Sequence, residues 1–315
     1  MTTDIRRLII DTDTAADDSF ALIVGLLHPR ANLEAVTIVA GNVPFEQQVQ
    51  NALLTIKQTG REGEVPVHLG ARVPLMREWV ESKAHGDGKG NHEFEASGQR
   101  PSDEAAAHAL VRLVNENPGE IDIIAIGPLT NIAMAVALDR DFAKKVRELW
   151  IMGGCDNSVG NVTAAAEYNF YVDPEAADMV MRAGFEMTIA TWTLTLAQAT
   201  WSDEQLAEIE KINNDLARYF TIVNKPNIEY NKTHGIMGST HPDSVTAMML
   251  VRPDLVTARS RKFVAIETAS DLTRGYSLFD DRPERNAPNA TIIDEIDSLG
   301  FYEAYVELLR AGPRA

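Results

Sequence analysis

LIIDTDTAADDSFALIVGLL, residues 8–27, is the stretch whose reading decides the fold. Leu8, Ile9 and Ile10 read as the end of an apolar strand. Phe20, Ala21, Leu22, Val24, Leu26 and Leu27 come after it as an apolar helix pattern. Between the two lie four aspartates in eight residues, Asp11, Asp13, Asp17 and Asp18. Carboxylates crowded at a strand-to-helix turn repel one another unless something cationic holds them together. Oxygen-only ligands suit a hard divalent cation, Ca2+ or Mg2+. In an α/β sheet the carboxyl end of a strand is also where ligands bind. An acidic first helix turn, stabilised by the macrodipole, accounts for Asp17 and Asp18 but not for Asp11 and Asp13, which end the strand. The stretch reads as a metal-dependent active site.

The rest of the composition narrows the classes. A chain of 315 residues with 45% hydrophobic content suits one large α/β domain. Its 29 basic and 46 acidic residues give a net charge of −17, with no basic stripe or Lys/Arg run, which argues against a nucleic-acid partner. Cys155 is the only cysteine, so an internal disulfide is impossible and a reducing compartment is compatible. The opening MTTDIRRLII lacks a signal-peptide pattern, and no segment approaches the ~20 apolar residues of a membrane span. The expectation is a cytoplasmic protein without a membrane partner.

Strand-like and helix-like segments alternate over the first two-thirds. Extended runs are expected at 33–39, 65–69, 121–126, 149–152 and 187–191. Helices are expected at about 45–59, from a Ser102 N-cap to the Asn117-Pro118-Gly119 stop, after GPLTN, and from Pro174. This alternation argues for a single domain, residues 1–315, with a mostly parallel central sheet and helices on both faces, a Rossmann-like core. Two stretches break the rhythm and are expected to be long active-site loops: 71–101, containing HGDGKGNHEF, and about 225–242, rich in Asn, Gly and His. The last sixty residues read as added strands at 262–266 and 290–293 and a closing helix at 298–310.

Each strand gives way to polar residues. The first ends in Asp11 and Asp13 and the second at Asn42. The fourth leads into Pro128, Thr130 and Asn131, and the fifth into Met152-Gly153-Gly154. Glu167 and Asn169 come next, and His241 and Asp243 later. Carboxylates and carboxamides converging on one sheet edge suit a ligand with several hydroxyls, such as a sugar ring.

These pieces, taken in order, resemble the nucleoside hydrolases of the inosine–uridine preferring type: DTDTAADD, VAGN, HGDG, IGPLTN, MGG, GNVTAAAEYNFYVDPEAA and a late HPDS. The resemblance runs along nearly the whole chain. It implies Ca2+ held by the carboxylates of Asp13, Asp18 and Asp243 and the Thr130 carbonyl. Asp13 would also accept the proton of the attacking water. Asp17, Asn42, Asn161, Glu167 and Asn169 would hold ribose hydroxyls, Met152 would pack on the sugar, and Asp11 would support the cluster from behind. It further implies hydrolysis of ribonucleosides in purine and pyrimidine salvage, by a homo-oligomer (dimer or tetramer). The C1′–N bond would break ahead of water attack, through an oxocarbenium-like ribosyl that carboxylates stabilise.

The chain also departs from the family. A histidine usually precedes the late metal-binding Asp directly, whereas here Thr240-His241-Pro242-Asp243 interposes a proline. His241 is expected as the acid that protonates the departing base, with His85 near the base and His234 a further candidate. TWTLT lacks the family's usual Asp and His in that segment, and Thr14-Ala15 replaces Pro-Gly. Tyr168, Trp192, Tyr219, Phe220 and Tyr230 line either a base pocket or the core. Two rival readings stand beside this one. LIIDTDTA fits a haloacid-dehalogenase-like phosphatase with an Asp11 nucleophile and Mg2+, although that assigns no task to GPLTN, MGG or AEYNF. A nucleoside- or ribose-binding homologue without catalysis is the other.

Overall fold

The apolar run at residues 8–10 becomes the middle of β1 (Arg6–Thr12), whose last five residues are buried. Leu8 and Ile10 enter one hydrophobic cluster and Ile9 another, because successive strand side chains point to opposite faces. A strand apolar on both faces belongs inside a parallel sheet with helices on each side. The computed structural model describes residues 5–86, 88, 93–282 and 284–314.

Ten further strands are present among the described residues: β2 (Ala31–Ile38), β3 (Val67–Leu69), β4 (Ile121–Ala125), β5 (Glu148–Met152), β6 (Met187–Ala190), β7 (Thr200–Trp201), β8 (Ser239–Thr240), β9 (Val256–Ile266), β10 (Ser277–Asp280) and β11 (Ala290–Ile296). Nine form one sheet in the order β10-β9-β11-β6-β5-β4-β1-β2-β3, and β7 pairs with β8. The pairings from β3 across to β11 are parallel, and β9 runs antiparallel to both its neighbours. The order β3-β2-β1-β4-β5-β6 is that of a doubly wound dinucleotide fold. Its switch point lies between β1 and β4, where the connecting loops part and leave a crevice at the carboxyl ends.

One helical layer packs on each face. The helices Ala16–Leu27, Phe45–Gln58, Asp215–Thr233, Pro242–Val251 and Ser298–Ala311 share one cluster with Leu8 and Ile10. Ala106–Glu116, Thr130–Leu138 and Pro174–Met181 share the other with Ile9. Among the described residues no helix is long and apolar enough to cross a membrane.

Three expectations need correction. The helix after Ser102 begins at Ala106, because the Ser102 backbone is drawn into a bridge beside His68, its N–H donating to the Val67 carbonyl at 2.8 Å. β9 starts at Val256, well before residue 262. Its alternating exposed positions carry Arg259 and Arg261, which hid the strand in a polar run. The segment 225–242 is not a loop throughout: helix Asp215–Thr233 continues through Pro226 to Thr233, and its asparagines are buried and paired instead of solvated. Residues 71–86 and 93–101 contain no helix or strand.

At the amino ends of the strands the charges are paired. Arg6 grips buried Asp122 through two nitrogens at 2.6 and 2.7 Å and reaches Glu148 at 3.2 Å. Burial raises the Asp122 carboxyl, and the Arg6 guanidinium opposes that. Arg6→Ala leaves Asp122 buried without a cation and should destabilise the fold by about 3–5 kcal/mol in urea unfolding. Asp122→Asn in the same background should recover part of the loss. No recovery would mean the ion pair is not what Arg6 contributes.

Candidate active site

The switch-point crevice is filled by residues at the end of β1 and just after it. Asp11 is fully buried and accepts hydrogen bonds from the Thr37 hydroxyl of β2 and from Asn131 Nδ2 at 2.8 Å. Asn131 also donates to the Ile38 carbonyl and accepts from Ala71 N–H, so these side chains tie the ends of β1 and β2 to the segment after β4. Asp13 lies where two glycines make room. A Cβ on Gly41 would stand 1.9 Å from Asp13 Oδ2, and one on Gly127 would stand 3.0 Å from Oδ1. The Asn42 N–H donates to Asp13 Oδ2 at 2.8 Å, while Oδ1 has no hydrogen-bond partner.

Asp17 and Asp18 occupy the first turn of helix Ala16–Leu27. Asp18 accepts from the Thr12 hydroxyl (2.6 Å), Ala15 N–H (2.9 Å) and Asn42 Nδ2 (3.2 Å). Asp243 lies in the first turn of helix Pro242–Val251, which packs beside Ala16–Leu27. Oxygens of Asp17, Asp18 and Asp243 come within 4.8 Å of one another. At an effective dielectric of about 20, each such pair of charges repels by on the order of 3 kcal/mol. Two helix N-termini oppose this with their partial positive charge.

No lysine or arginine pairs with these aspartates among the described residues, and the nearest cationic candidate is His85, with Nε2 3.7 Å from Asp17 Oδ1. Burial therefore raises every carboxyl of the group. Asp11 is pushed to about 7, and Asp17 and Asp18 to about 6. Asp13 and Asp243 go well above the ordinary range, through burial and the neighbouring negative charges. His85, also buried, is pushed down to about 4 and is neutral. Unpaired Asp13 Oδ1 and Asp17 Oδ1, hard oxygen donors and missing internal cations fit a divalent ion held here.

A cavity of about 570 Å3 opens on this cluster. Asp17, Asn42, His85, Met152, Asn161, Glu167, Asn169 and Asp243, all expected from sequence, line it. Each has a defined remaining capacity. Asn42 and Asn169 spend their amide nitrogens on Asp18 and on the Ile126 and Met152 carbonyls, which leaves Oδ1 to accept. Asn161 Oδ1 accepts Tyr168 N–H, which leaves its amide nitrogen to donate. Glu167 caps helix Tyr168–Val172 with its carboxylate, which burial raises to about 7. Trp192, Tyr168, Tyr230 and His234 face the cavity, whereas Tyr219 and Phe220 belong to the core. The loop at 71–86 is pinned over the cavity by Trp79 Nε1 donating to Gly41 O and Tyr168 hydroxyl donating to Val80 O. Of HGDGKGNHEF, residues 87 and 89–92 lie outside the described residues. A second groove, of about 860 Å3 beside Asn214 and Arg218, shares no lining residue with the cluster.

Asp13, Asp18, Asp11 and Thr130 stand behind the cavity wall, Thr130 with its hydroxyl on Asp173 at 2.7 Å. His241 lies away from the cavity. Thr240 and Pro242 face the cavity, so the residue between them points away. Its ring stacks on Trp201 at 3.6 Å beside Phe20 and Phe220, fully buried, with both nitrogens lacking partners. Burial pushes it down to about 3, so it is an aromatic filler and not the acid for a departing base. Asn227 and Asn231 line the cavity and were missed. The signal was their spacing with Asn224, i, i+3 and i+7, on one helix face.

Comparison with known proteins agrees with the geometry. The family model described as inosine-uridine preferring nucleoside hydrolase matches residues 8–303. Uridine nucleosidase 1 of Arabidopsis thaliana is 36% identical over 282 residues, covering 87% of this chain and 82% of that protein. The pyrimidine-specific ribonucleoside hydrolase RihA of Shewanella baltica is 33% identical over 315 residues, covering 97% and 96%. Among solved structures, a plant nucleoside hydrolase, the PpNRh1 enzyme, superposes with a TM-score of 0.90 at 31% identity, covering 97% of this chain and 99% of that one. A purine-preferring ribonucleoside hydrolase from Gardnerella vaginalis gives 0.90 at 25%, covering 97% and 98%.

The burial of His241 and of the carboxylates has measurable consequences. His241→Phe keeps the aromatic packing, and His241→Ala should lower stability by about 3 kcal/mol. With His241→Phe the ratio of rates on the ribonucleoside cleaved fastest and on a nitrophenyl riboside should stay within twofold; loss on the ribonucleoside alone would put the imidazole back at the base. Because the raised carboxyls are protonated at low pH, protons compete with a bound cation. The rise in melting temperature on adding a divalent ion to chelator-treated protein should shrink as pH falls from 7.5 to 5.5. An increment independent of pH would place the ion elsewhere.

Proposed function

The chain belongs to the inosine-uridine preferring nucleoside hydrolases, and from that premise we propose that its cavity cleaves the N-glycosidic bond of ribonucleosides, with Ca2+ in the carboxylate cluster. It is an N-ribosyl hydrolase, releasing ribose and a free base. The observation that carries the reading is the buried carboxylate group, poor in cations, whose Asp17 and Asp243 line a cavity edged with carboxamides while Asp13 Oδ1 and Asp17 Oδ1 have no hydrogen-bond partner. Asp17, Asp18 and Asp243, whose oxygens lie within 4.8 Å of one another, would hold the ion, joined by Asp13 and the Thr130 carbonyl. When bound, the cation offsets the carboxylate repulsion and offers positions to ribose hydroxyls and water.

The residues supply the rest. Asn42 and Asn169 accept from ribose hydroxyls, Asn161 donates, and Met152 meets the sugar's apolar face. As the C1′–N bond lengthens, its electron pair leaves with the base and positive charge grows on the ribosyl group. The surrounding aspartates and Glu167 stabilise that charge. The water oxygen then bonds to C1′, and its proton passes to Asp13 Oδ1. The base takes up a proton at its far side. His85 is held neutral by burial, whereas His234, stacked on Tyr230 at 3.8 Å, stands exposed at the cavity's edge. A missing ribose hydroxyl leaves buried acceptors unpaired, so ribose is selected over deoxyribose.

The names of the relatives span uridine, pyrimidine and purine preference, so the base is left open by kinship. A role in purine and pyrimidine salvage, a cytoplasmic place and a homo-oligomeric state, dimer or tetramer, belong to this same proposal.

The test is ribose release from a panel of uridine, cytidine, inosine and their 2′-deoxy counterparts. Release from at least one ribonucleoside should fall 100-fold or more with chelator and with the 2′-deoxy substrate, and Ca2+ should restore it. Nucleoside binding with no ribose released would mark a binding protein. Hydrolysis of p-nitrophenyl phosphate with Mg2+, and of no nucleoside, would favour the phosphatase.

A further inference from the structure

Helix Asp215–Thr233 carries Asn224, Asn227 and Asn231 on one face, all at most 3% exposed. Asparagine is a poor residue for a helix interior, and a buried amide must find partners. Here every partner comes from one short segment. Ser239 hydroxyl donates to Asn224 Oδ1 at 2.9 Å, Asn227 Nδ2 donates to the Thr240 carbonyl at 3.1 Å, and Asn231 Nδ2 donates to the Gly238 carbonyl at 3.1 Å. The Thr240 hydroxyl lies 3.4 Å from both Asn227 Oδ1 and Asn231 Nδ2. The other side of the segment is equally tight. Gly238 takes φ +90°, where a Cβ would stand 2.0 Å from the Trp201 carbonyl, and β8 pairs with β7.

This segment runs straight into Asp243. The helix that holds it carries Tyr230 and His234, which wall the same cavity. We propose that Asn227 and Asn231 are positioning residues. They latch the helix that walls the base end of the cavity to the strand that delivers Asp243, so that cation binding and ordering of the base end are coupled. The inference rests on the functional reading of the cavity as a nucleoside site. Neither asparagine need touch the reacting atoms, because their amides are occupied by backbone oxygens of residues 238–240. Coupling of this kind is reciprocal: the cation tightens nucleoside binding by the factor by which the nucleoside tightens the cation.

The experiment measures Ca2+ affinity of the full-length, chelator-treated protein by calorimetry, and hydrogen exchange over residues 224–233 with and without Ca2+. Wild-type protein should show slower exchange in that helix when Ca2+ is bound. Asn227→Leu and Asn231→Leu, similar in volume and lacking donors, should weaken Ca2+ binding about tenfold and abolish the slowing. Thr240→Ser, which keeps the hydroxyl, should stay within twofold. If one leucine variant does not fold, the other, with the wild-type exchange data, decides. Leucine variants that melt at lower temperature yet bind Ca2+ as wild type does would reduce the asparagines to packing and overturn the coupling. So would exchange in the wild-type helix that ignores Ca2+. A wild-type chain that binds no divalent cation overturns the functional reading itself.

Discussion

Repulsion among buried carboxylates is the constraint around which the carboxyl edge of this sheet is built. Asp13, Asp17 and Asp18 arrive from the turn after β1 and Asp243 from the far end of the chain, and their charges meet in a site without a lysine or arginine partner among the described residues. The surrounding structure lowers the repulsion without cancelling it. Two helix N-termini point at the group, Thr12 and Ala15 donate to Asp18, and the Asn42 backbone donates to Asp13. Glycines at 41 and 127 admit the Asp13 side chain where any Cβ would crowd it. These contacts leave the carboxylate repulsion only partly offset, which suits a site for a divalent cation.

The two ends of the sheet treat charge in opposite ways. At the amino ends Arg6, Asp122 and Glu148 neutralise one another, and Arg7 binds Glu34 and Glu120. At the carboxyl ends the acids keep unpartnered oxygens. The first arrangement contributes to the stability of the scaffold. The second costs stability wherever buried charge is left without a partner, as functional sites often do.

Much of this was legible in the sequence, for physical reasons. β1 and the helix after it announced themselves because one is apolar on both faces and the other at helical spacing. The polar residues at strand ends were visible because apolar runs stop abruptly at them, and eight expected residues line one cavity. The misreadings were local. Pro226 and the asparagines around it read as a loop, since the partners that make buried amides acceptable, Ser239 and Thr240, lie on a separate strand. The start of β9 is hidden in the sequence because its outward face is basic. Nearness to Asp243 in sequence puts His241 beside the cavity on paper, yet side-chain direction alternates there, and the ring stacks on Trp201.

If these aspartates together make one cation site, equilibrium dialysis of chelator-treated protein against radioactive calcium tests it most directly. One ion should bind per chain and be lost in Asp18→Asn and in Asp243→Asn, each of which keeps the wild-type circular dichroism. No bound ion, or one ion retained by both variants, would contradict a shared site.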